Sequence, residues 1–391
     1  MRNIILKWIF ILIFLFFSGI LKSQVYPTFS QHIPVSIMGL TFDAMEPFIS
    51  PIDSTLFSNS RNAGGNTNLY YATFNSNTSF DLQGLVSGTY DSTANHLDAV
   101  ASMDTSGNFF WVSMRNYPVQ MENLHHGIYS NGNVTSINRV YGDFNMYLFN
   151  PPFGWLIMDA AINWSGDHLY YCNAQFDFNQ TSCAGLPCEA KLGVAEKVND
   201  STFNKLPDSD GIFSNINDSL YLVYAPFVSS DEKELYFTRL MKGTSLTEIC
   251  VSVRNSPMDT FSVPHLIYGS NINFPEACAL SRNGQRLYFH EIDVNGYYHI
   301  FMMNRNGTID IEDELQKSGP IVYPNPSSGV FQVKLPEGRF PEKVELVTLA
   351  GDAFNLHHSG GEVNASSFSG GIYVLKIYSE DRVYTKKIIL W

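Results

Sequence analysis

Charge is scarce in this 391-residue chain: Asp, Glu, Lys and Arg together make up only 16% of it. What charge there is leans acidic, 37 acidic residues against 24 basic, for a net charge of -13. A surface of that sign repels phosphate backbones and anionic bilayers, so nucleic acid is not expected as a partner. Cysteine is also sparse, and five is an odd number that cannot be fully paired in an oxidising compartment. Beyond Leu21 no apolar run is long enough to cross a membrane, and no transmembrane segment is expected in a mature chain. There is no Gly-x-Ser-x-Gly elbow and no Walker loop, which removes the usual signs of serine hydrolysis and of phosphate cradling. His125 and His126 are neighbours, as are His357 and His358, so on a strand each pair points to opposite faces and cannot share a metal. No cofactor and no metal are expected.

What is present begins with a short basic region, Arg2 and Lys7, ahead of an apolar run from Trp8 to Leu21. The run falls short of the ~20 residues of a comfortable span and reads as a secretory signal peptide over residues 1–24, cut after Ser23 or Gln24; an uncleaved anchor is the alternative. Lipid attachment there would need a cysteine directly after the run, whereas the first is Cys172. Aromatics reach 14%, and Asn, Ser, Thr, Gly and Pro punctuate short apolar runs throughout, the composition of an all-β protein. A mature length of this size suggests two domains. Cys183 and Cys188, in "CAGLPC", are expected to form a local disulfide; a metal site is the alternative, but no His or second Cys pair stands at zinc spacing. Cys172, Cys250 and Cys278 lie in apolar strand patterns and read as buried thiols.

Five segments share one grammar: an apolar strand, a Ser/Asp/Asn/Gly turn, a strand rich in Leu, Phe and Tyr, a loop, and a third alternating strand. They start at Glu46, Leu97, Met158, Tyr224 and Pro275, and their second strands are marked by Leu56, Phe110, Leu169, Leu235 and Leu287. Those marks recur every ~50 to 65 residues, the length that a four-stranded propeller blade needs. "SFDLQGLVS", "NVTSINRVYG" and "STFNKLPD" supply fourth strands for the first three. The reading is a five-bladed β-propeller over residues 25–305, with a sixth blade built from Tyr26 to Thr41 as the alternative.

The stretches "FISPIDSTLFSNSR", "INWSGDHLYYCN", "VSSDEKELYFTR" and "LSRNGQRLYFHE" resemble TolB-like propeller repeats, with Arg61, Arg115 and Arg239 closing the second strand. Gly107, Gly166 and Gly284 hold the turn position. That resemblance implies a module binding protein or peptide, and does not by itself imply catalysis.

After "NGTIDIEDELQKSGP", an acidic linker over residues 306–320, apolar alternation restarts. Seven short strands between 321 and 391 predict a small Ig-like β-sandwich. In "VFQVKL", Phe331, Val333 and Leu335 fall on one face, as a half-buried strand requires. "YPNPSSGVFQV" with Pro324, Asn325, Pro326 and Gly329, the "VELVTLAGDAF" hairpin with Gly351, and "FSGGIYVLKI" with Gly371 resemble, in that order, the type A C-terminal sorting domain of type IX secretion cargo. The resemblance implies recognition by the outer-membrane translocon, then removal of the tail by a sortase-like peptidase within the linker, leaving a secreted or surface-attached, outer-membrane-associated product.

For the propeller two functions are weighed. Acidic residues open several repeats, Glu46, Asp98, Asp159 and Glu276; gathered on the channel they would make an anionic rim suited to a cationic ligand or a divalent ion, on a module that captures a protein, peptide or glycan. This non-enzymatic binding module is the expected reading. The alternative is a glycoside hydrolase, which needs a protonated and an ionised carboxyl flanking the bond, drawn from Asp43, Asp98, Asp159 and Glu276. Carboxylates that converge in a solvent pocket favour catalysis, and dispersed ones favour binding.

Overall fold

The computed structural model describes residues 24–62, 66–90, 97–146, 148–306, 320–335, 340–348, 351–379 and 382–391. The expected signal peptide, apart from Gln24, and most of the expected linker lie outside them. The chain divides into two units, 1–307 and 308–391.

In the first unit the described strands form five sheets, each a blade, antiparallel but for one added strand on the first. The inner strands are Met45–Ile49, Asp98–Met103, Phe153–Ile162, Tyr221–Val228 and Glu276–Leu280. The second strands are Leu56–Asn59, Asn108–Ser113, His168–Asp177, Glu234–Met241 and Arg286–Ile292, and each carries its anchor residue in the core: Leu56, Phe110, Leu169, Leu235 and Leu287 are at most 2% exposed. The three fourth strands expected from sequence form as Ser79–Leu85, Asn133–Arg139 and Thr202–Lys205.

Each hairpin between inner and second strand is capped the same way. Ser50, Asp104, Asn163, Ser229 and Ser281 close the hairpin with their backbone N–H. Their side-chain oxygens then accept the turn's own amides, as from Asn108 to Asp104 Oδ1 (2.9 Å), His168 to Asn163 Oδ1 (3.0 Å) and Glu234 to Ser229 Oγ (3.0 Å). A short polar side chain here satisfies N–H groups that the turn takes out of the ladder, which is why the repeat restricts this position to Ser, Asp or Asn. Aromatic side chains fill the wedges between blades: Phe57 of the first meets Phe109 and Tyr129 of the second at 5.1 and 5.0 Å, and Phe110 of the second meets Phe203 of the third at 5.9 Å. Such contacts add ~0.5–1.5 kcal/mol apiece to the area they bury.

No sixth blade forms from Tyr26 to Thr41. That segment is shared out instead: Ile33–Pro34 pairs antiparallel with Tyr298–Asn304 as the outer strand of the fifth blade, and Ser36–Met38 pairs in parallel with Ser79–Leu85 on the first. Two short strands cannot bury a sheet of their own. Donating them completes the blade that lacks a fourth strand and clips the ring shut.

The second unit has the seven expected strands, ordered Ile321–Tyr323, Val330–Lys334, Glu362–Asn364, Ala353–Ser359, Lys343–Val347, Gly371–Ser379 and Arg382–Leu390. Ala353–Ser359 belongs to both layers of this sandwich, pairing through Ala353–Leu356 with one neighbour and through His357–Ser359 with the other. Phe331, Val333 and Leu335 are buried in its core beside Val344, Leu346 and Leu375.

Candidate functional site

All five inner strands face one narrow channel, lined by Glu46, Val100, Ala101, Asp159, Ala225 and Ala277 among others. Small side chains keep it open, but its volume is only about 30 Å³, room for one or two waters and not for a sugar ring or a peptide. Every inner strand breaks register at the axis with a bulge, between Met45 and Phe48, Ala99 and Ser102, Ile157 and Asp159, Tyr224 and Phe227, and Glu276 and Ala279. At four of the five a non-glycine residue takes positive φ: Glu46 (53°), Val100 (58°), Ala225 (50°) and Ala277 (51°). Left-handed backbone at such residues costs on the order of 1–3 kcal/mol each and is held only by surrounding structure, a pattern concentrated at functional sites.

The bulges re-aim side chains, and three carboxyls from three blades come together. Glu46 Oε1 accepts from Asn62 Nδ2 at 2.9 Å, while its Oε2 is buried without a hydrogen bond. Asp159 is 4% exposed and its Oδ2 accepts the backbone N–H of Ala225 at 3.0 Å. Glu276 Oε1 accepts a short hydrogen bond from the Tyr224 hydroxyl, and its Oε2 lies 3.5 Å from His290 Nε2. His290 is fully buried, and its Nδ1 accepts the backbone N–H of Glu46 at 3.0 Å, so this ring links the strained backbone of one carboxyl to the side chain of another. Burial, reinforced by the neighbouring Asp159 charge, pushes the Glu46 carboxyl up to about 8. Burial, with Glu276 nearby, pushes Asp159 up to about 7. Carboxyls whose proton affinity is raised to neutrality or above, with a third carboxyl beside them, can donate and accept protons in the same place.

The other acidic candidates lie apart from this cluster. Asp98 is fully buried and bound to Arg115 Nη2 at 2.9 Å; Asp43 pairs with Arg61 Nη1 at 3.3 Å. Two of the three repeat arginines thus neutralise the acids that open their own blades, and the third, Arg239, pairs with Glu248 at 2.6 Å. Tyr224 and His290 were not legible as site residues. Tyr224 had a signal: it occupies the same place in its blade as Glu276, directly before the bulged alanine.

Asp167, His168 and Glu232 offer ligand atoms within 4.8 Å of one another, the one such cluster among the described residues. Their valences are spent internally, since Glu232 accepts from Tyr170 (2.6 Å), Asn163 (2.8 Å) and His168 (3.0 Å), and Arg254 donates to the Glu232 carbonyl (2.7 Å) and to Tyr170 (2.6 Å). This network bolts the third blade to the fourth. Cys183 and Cys188 are joined at 1.97 Å, and Cys172, Cys250 and Cys278 are free and buried.

In the second unit the sorting motif is tied to the final strand. Asn325 Nδ2 donates to the Lys387 carbonyl (2.8 Å), its Oδ1 accepts from the Ile389 amide (2.9 Å), and Ser327 exchanges backbone bonds with Ile389 and Trp391. Gly329, at φ 113°, lets its backbone pass where a Cβ would stand 2.6 Å from Ser366 Cα. Gly351 takes φ 99° in the hairpin between Lys343–Val347 and Ala353–Ser359, and Gly371 opens its strand. Residues 321–391 match the family described as secretion system C-terminal sorting domain. The tail is a type IX secretion sorting domain. The sorting domain marks the protein for export by that system, to the cell surface or the medium, and is the part that engages its machinery.

No curated protein matches the chain. Among solved structures, a family 117 glycoside hydrolase of Zobellia galactanivorans is 11% identical, with 74% of this chain and 93% of that one covered and a TM-score of 0.46. An endo-arabinase of Bacteroides thetaiotaomicron is 14% identical over 73% and 99%, at 0.43, and a putative TolB of Agrobacterium tumefaciens 10% identical over 75% and 82%, at 0.31. Likeness at these identities concerns the fold alone. The expectation that the propeller is not an enzyme is corrected all the same, since the structures that share its fold include one named a glycoside hydrolase and one named an endo-arabinase.

Proposed function

We propose that the propeller is a glycoside hydrolase whose reacting groups are Glu46 and Glu276, with Asp159 behind them. Three carboxyls within one another's field, Glu46 and Asp159 of them on the channel lining and raised to about 8 and about 7, carry this reading. Glycosidic cleavage needs a proton donor for the leaving oxygen and a carboxylate to act as base or nucleophile. Glu46, pushed up to about 8, is the donor. Glu276 is the carboxylate, oriented by the Tyr224 hydroxyl and by His290, and it is reachable, with 22% of its side chain exposed. Asp159, the other carboxyl on the channel lining, raises the proton affinity of Glu46 further. Because the throat admits water and no sugar, the glycan lies across the mouth and reaches the carboxyls from there.

In the same reading residues 1–24 are a signal peptide removed on export, and residues 306–320 contain the cut by which a sortase-like peptidase releases the tail. The test is a hydrolysis assay of the purified full chain on plant and algal polysaccharides, with Glu46→Gln and Glu276→Gln alongside. Each variant should lose ~10²–10⁴-fold in rate, the contribution of general acid–base catalysis. Hydrolysis that persists undiminished in both variants would refute the assignment.

A further inference from the structure

A second cavity, about 330 Å³, opens past the other ends of the inner strands, beyond Leu280 where Glu276 begins the same strand. Hairpins of the third, fourth and fifth blades build it, and its polar lining includes Trp164, Ser230, Asp231, Arg282, Asn283 and Arg305. Its volume falls in the range of small-ligand sites, unlike that of the throat.

The chemistry of the lining selects a ligand class. Arg305 is ion-paired with Glu234, whose Oε2 also accepts the Tyr236 hydroxyl at 2.8 Å, so that wall is neutral and braced. Asp231 and Arg282 are both exposed and of opposite sign, so neither an anion nor a cation gains a net Coulomb attraction. Asn283 Oδ1 is taken by Ser281 Oγ (2.7 Å) and the Gln285 amide (3.2 Å), which leaves its NH2 as the donor it can offer. Asp231 Oδ1 is taken by Ser229 Oγ (2.7 Å) and the Lys233 amide (3.2 Å), which leaves Oδ2 as an acceptor. Donors and acceptors in balance beside an indole suit an uncharged ring that has hydroxyls on its rim and C–H bonds on its faces.

We propose that this cavity binds a neutral saccharide unit, as a site separate from the axial carboxyls. The assignment does not depend on those carboxyls being catalytic. It would let the propeller hold a glycan at one end whatever happens at the other.

Saturation-transfer NMR on the full chain with glucose, galactose, xylose, arabinose and their disaccharides tests it. At least one sugar should show transfer, Trp164→Ala should weaken its binding at least tenfold and Asn283→Ala several-fold, and Glu46→Gln should leave it unchanged. Arg282→Ala and Asn283→Ala replace exposed residues and carry the test if Trp164→Ala fails to fold. Absence of transfer from every sugar, binding indifferent to all three cavity variants, or binding abolished by Glu46→Gln would each overturn the proposal, as would binding of trialanine in place of sugar.

Discussion

Glu46→Gln separates the cost of the axial cluster from its use. In the unfolded chain a glutamic acid loses its proton near 4.5, whereas in the folded ring Glu46 keeps it up to about 8. Below pH 4.5 both states are protonated and the residue has no effect on stability. Between about 4.5 and 8 only the unfolded state ionises, so stability falls as pH rises and levels off above the folded value. The gap, 8 minus 4.5, amounts to a ceiling of ~5 kcal/mol at 1.36 kcal/mol per pH unit. It is a ceiling because Asp159 and Glu276 share the same field. Gln has the same shape and no charge to desolvate, and it can still accept from Asn62. Urea unfolding midpoints at pH 4, 6 and 9 should therefore coincide for the two proteins at pH 4 and diverge with rising pH, the variant becoming the more stable by several kcal/mol while its hydrolysis is lost. Parallel pH profiles would refute the reasoning, since Glu46 would then be ionised at neutrality and could not act as the acid.

Three further outcomes are expected. Gly329→Ala places a Cβ 2.6 Å from Ser366 Cα in left-handed backbone, and should destabilise the sorting domain by ~2 kcal/mol or more and lower export, read as the surface-to-periplasm ratio of the full chain. Iodoacetamide should label no cysteine in the native protein, three after denaturation without reductant and five after reduction, because three thiols are buried and two sulfurs are bonded; labelling of Cys183 before reduction would contradict this. The hydrogen bond to Glu232 raises the His168 pKa, so its stabilising charge is fully present below about 6.5 and is lost as pH rises through the folded value. His168→Gln should therefore lower Tm at pH 5.5 and change it far less at pH 9.

The ring was legible because its second strands carry strong apolar anchors and its hairpins repeat one capping residue, both of them local signals. The five-blade reading was right, and the sixth blade stayed open as an alternative because Ile33–Pro34 and Ser36–Met38 look like a local pair, while the partners of each are fixed by closure of the ring. Strand patterns do not say which sheet accepts a strand. At the site, Glu46, Asp159 and Glu276 stood out as acids opening inner strands, and so did Asp98, which is instead spent on Arg115. Separating them required the bulges, since one extra residue decides whether a side chain faces the channel or a neighbouring blade. His290 gave no signal because its role depends on a backbone amide 244 positions away in the chain.

The shared fifth blade also sets an order of events. Ile33 pairs with Met302, so the first strand of the propeller to be synthesised has to wait for nearly the last before its edge is covered. Until then the ring is an open arc with unpaired strand edges at both ends, the kind of surface that recruits other chains. Closure across so long a loop makes folding slow and cooperative. A nascent propeller of this design therefore depends on being shielded for the whole time its chain is emerging, and any truncation before Met302 leaves it sticky as well as incomplete.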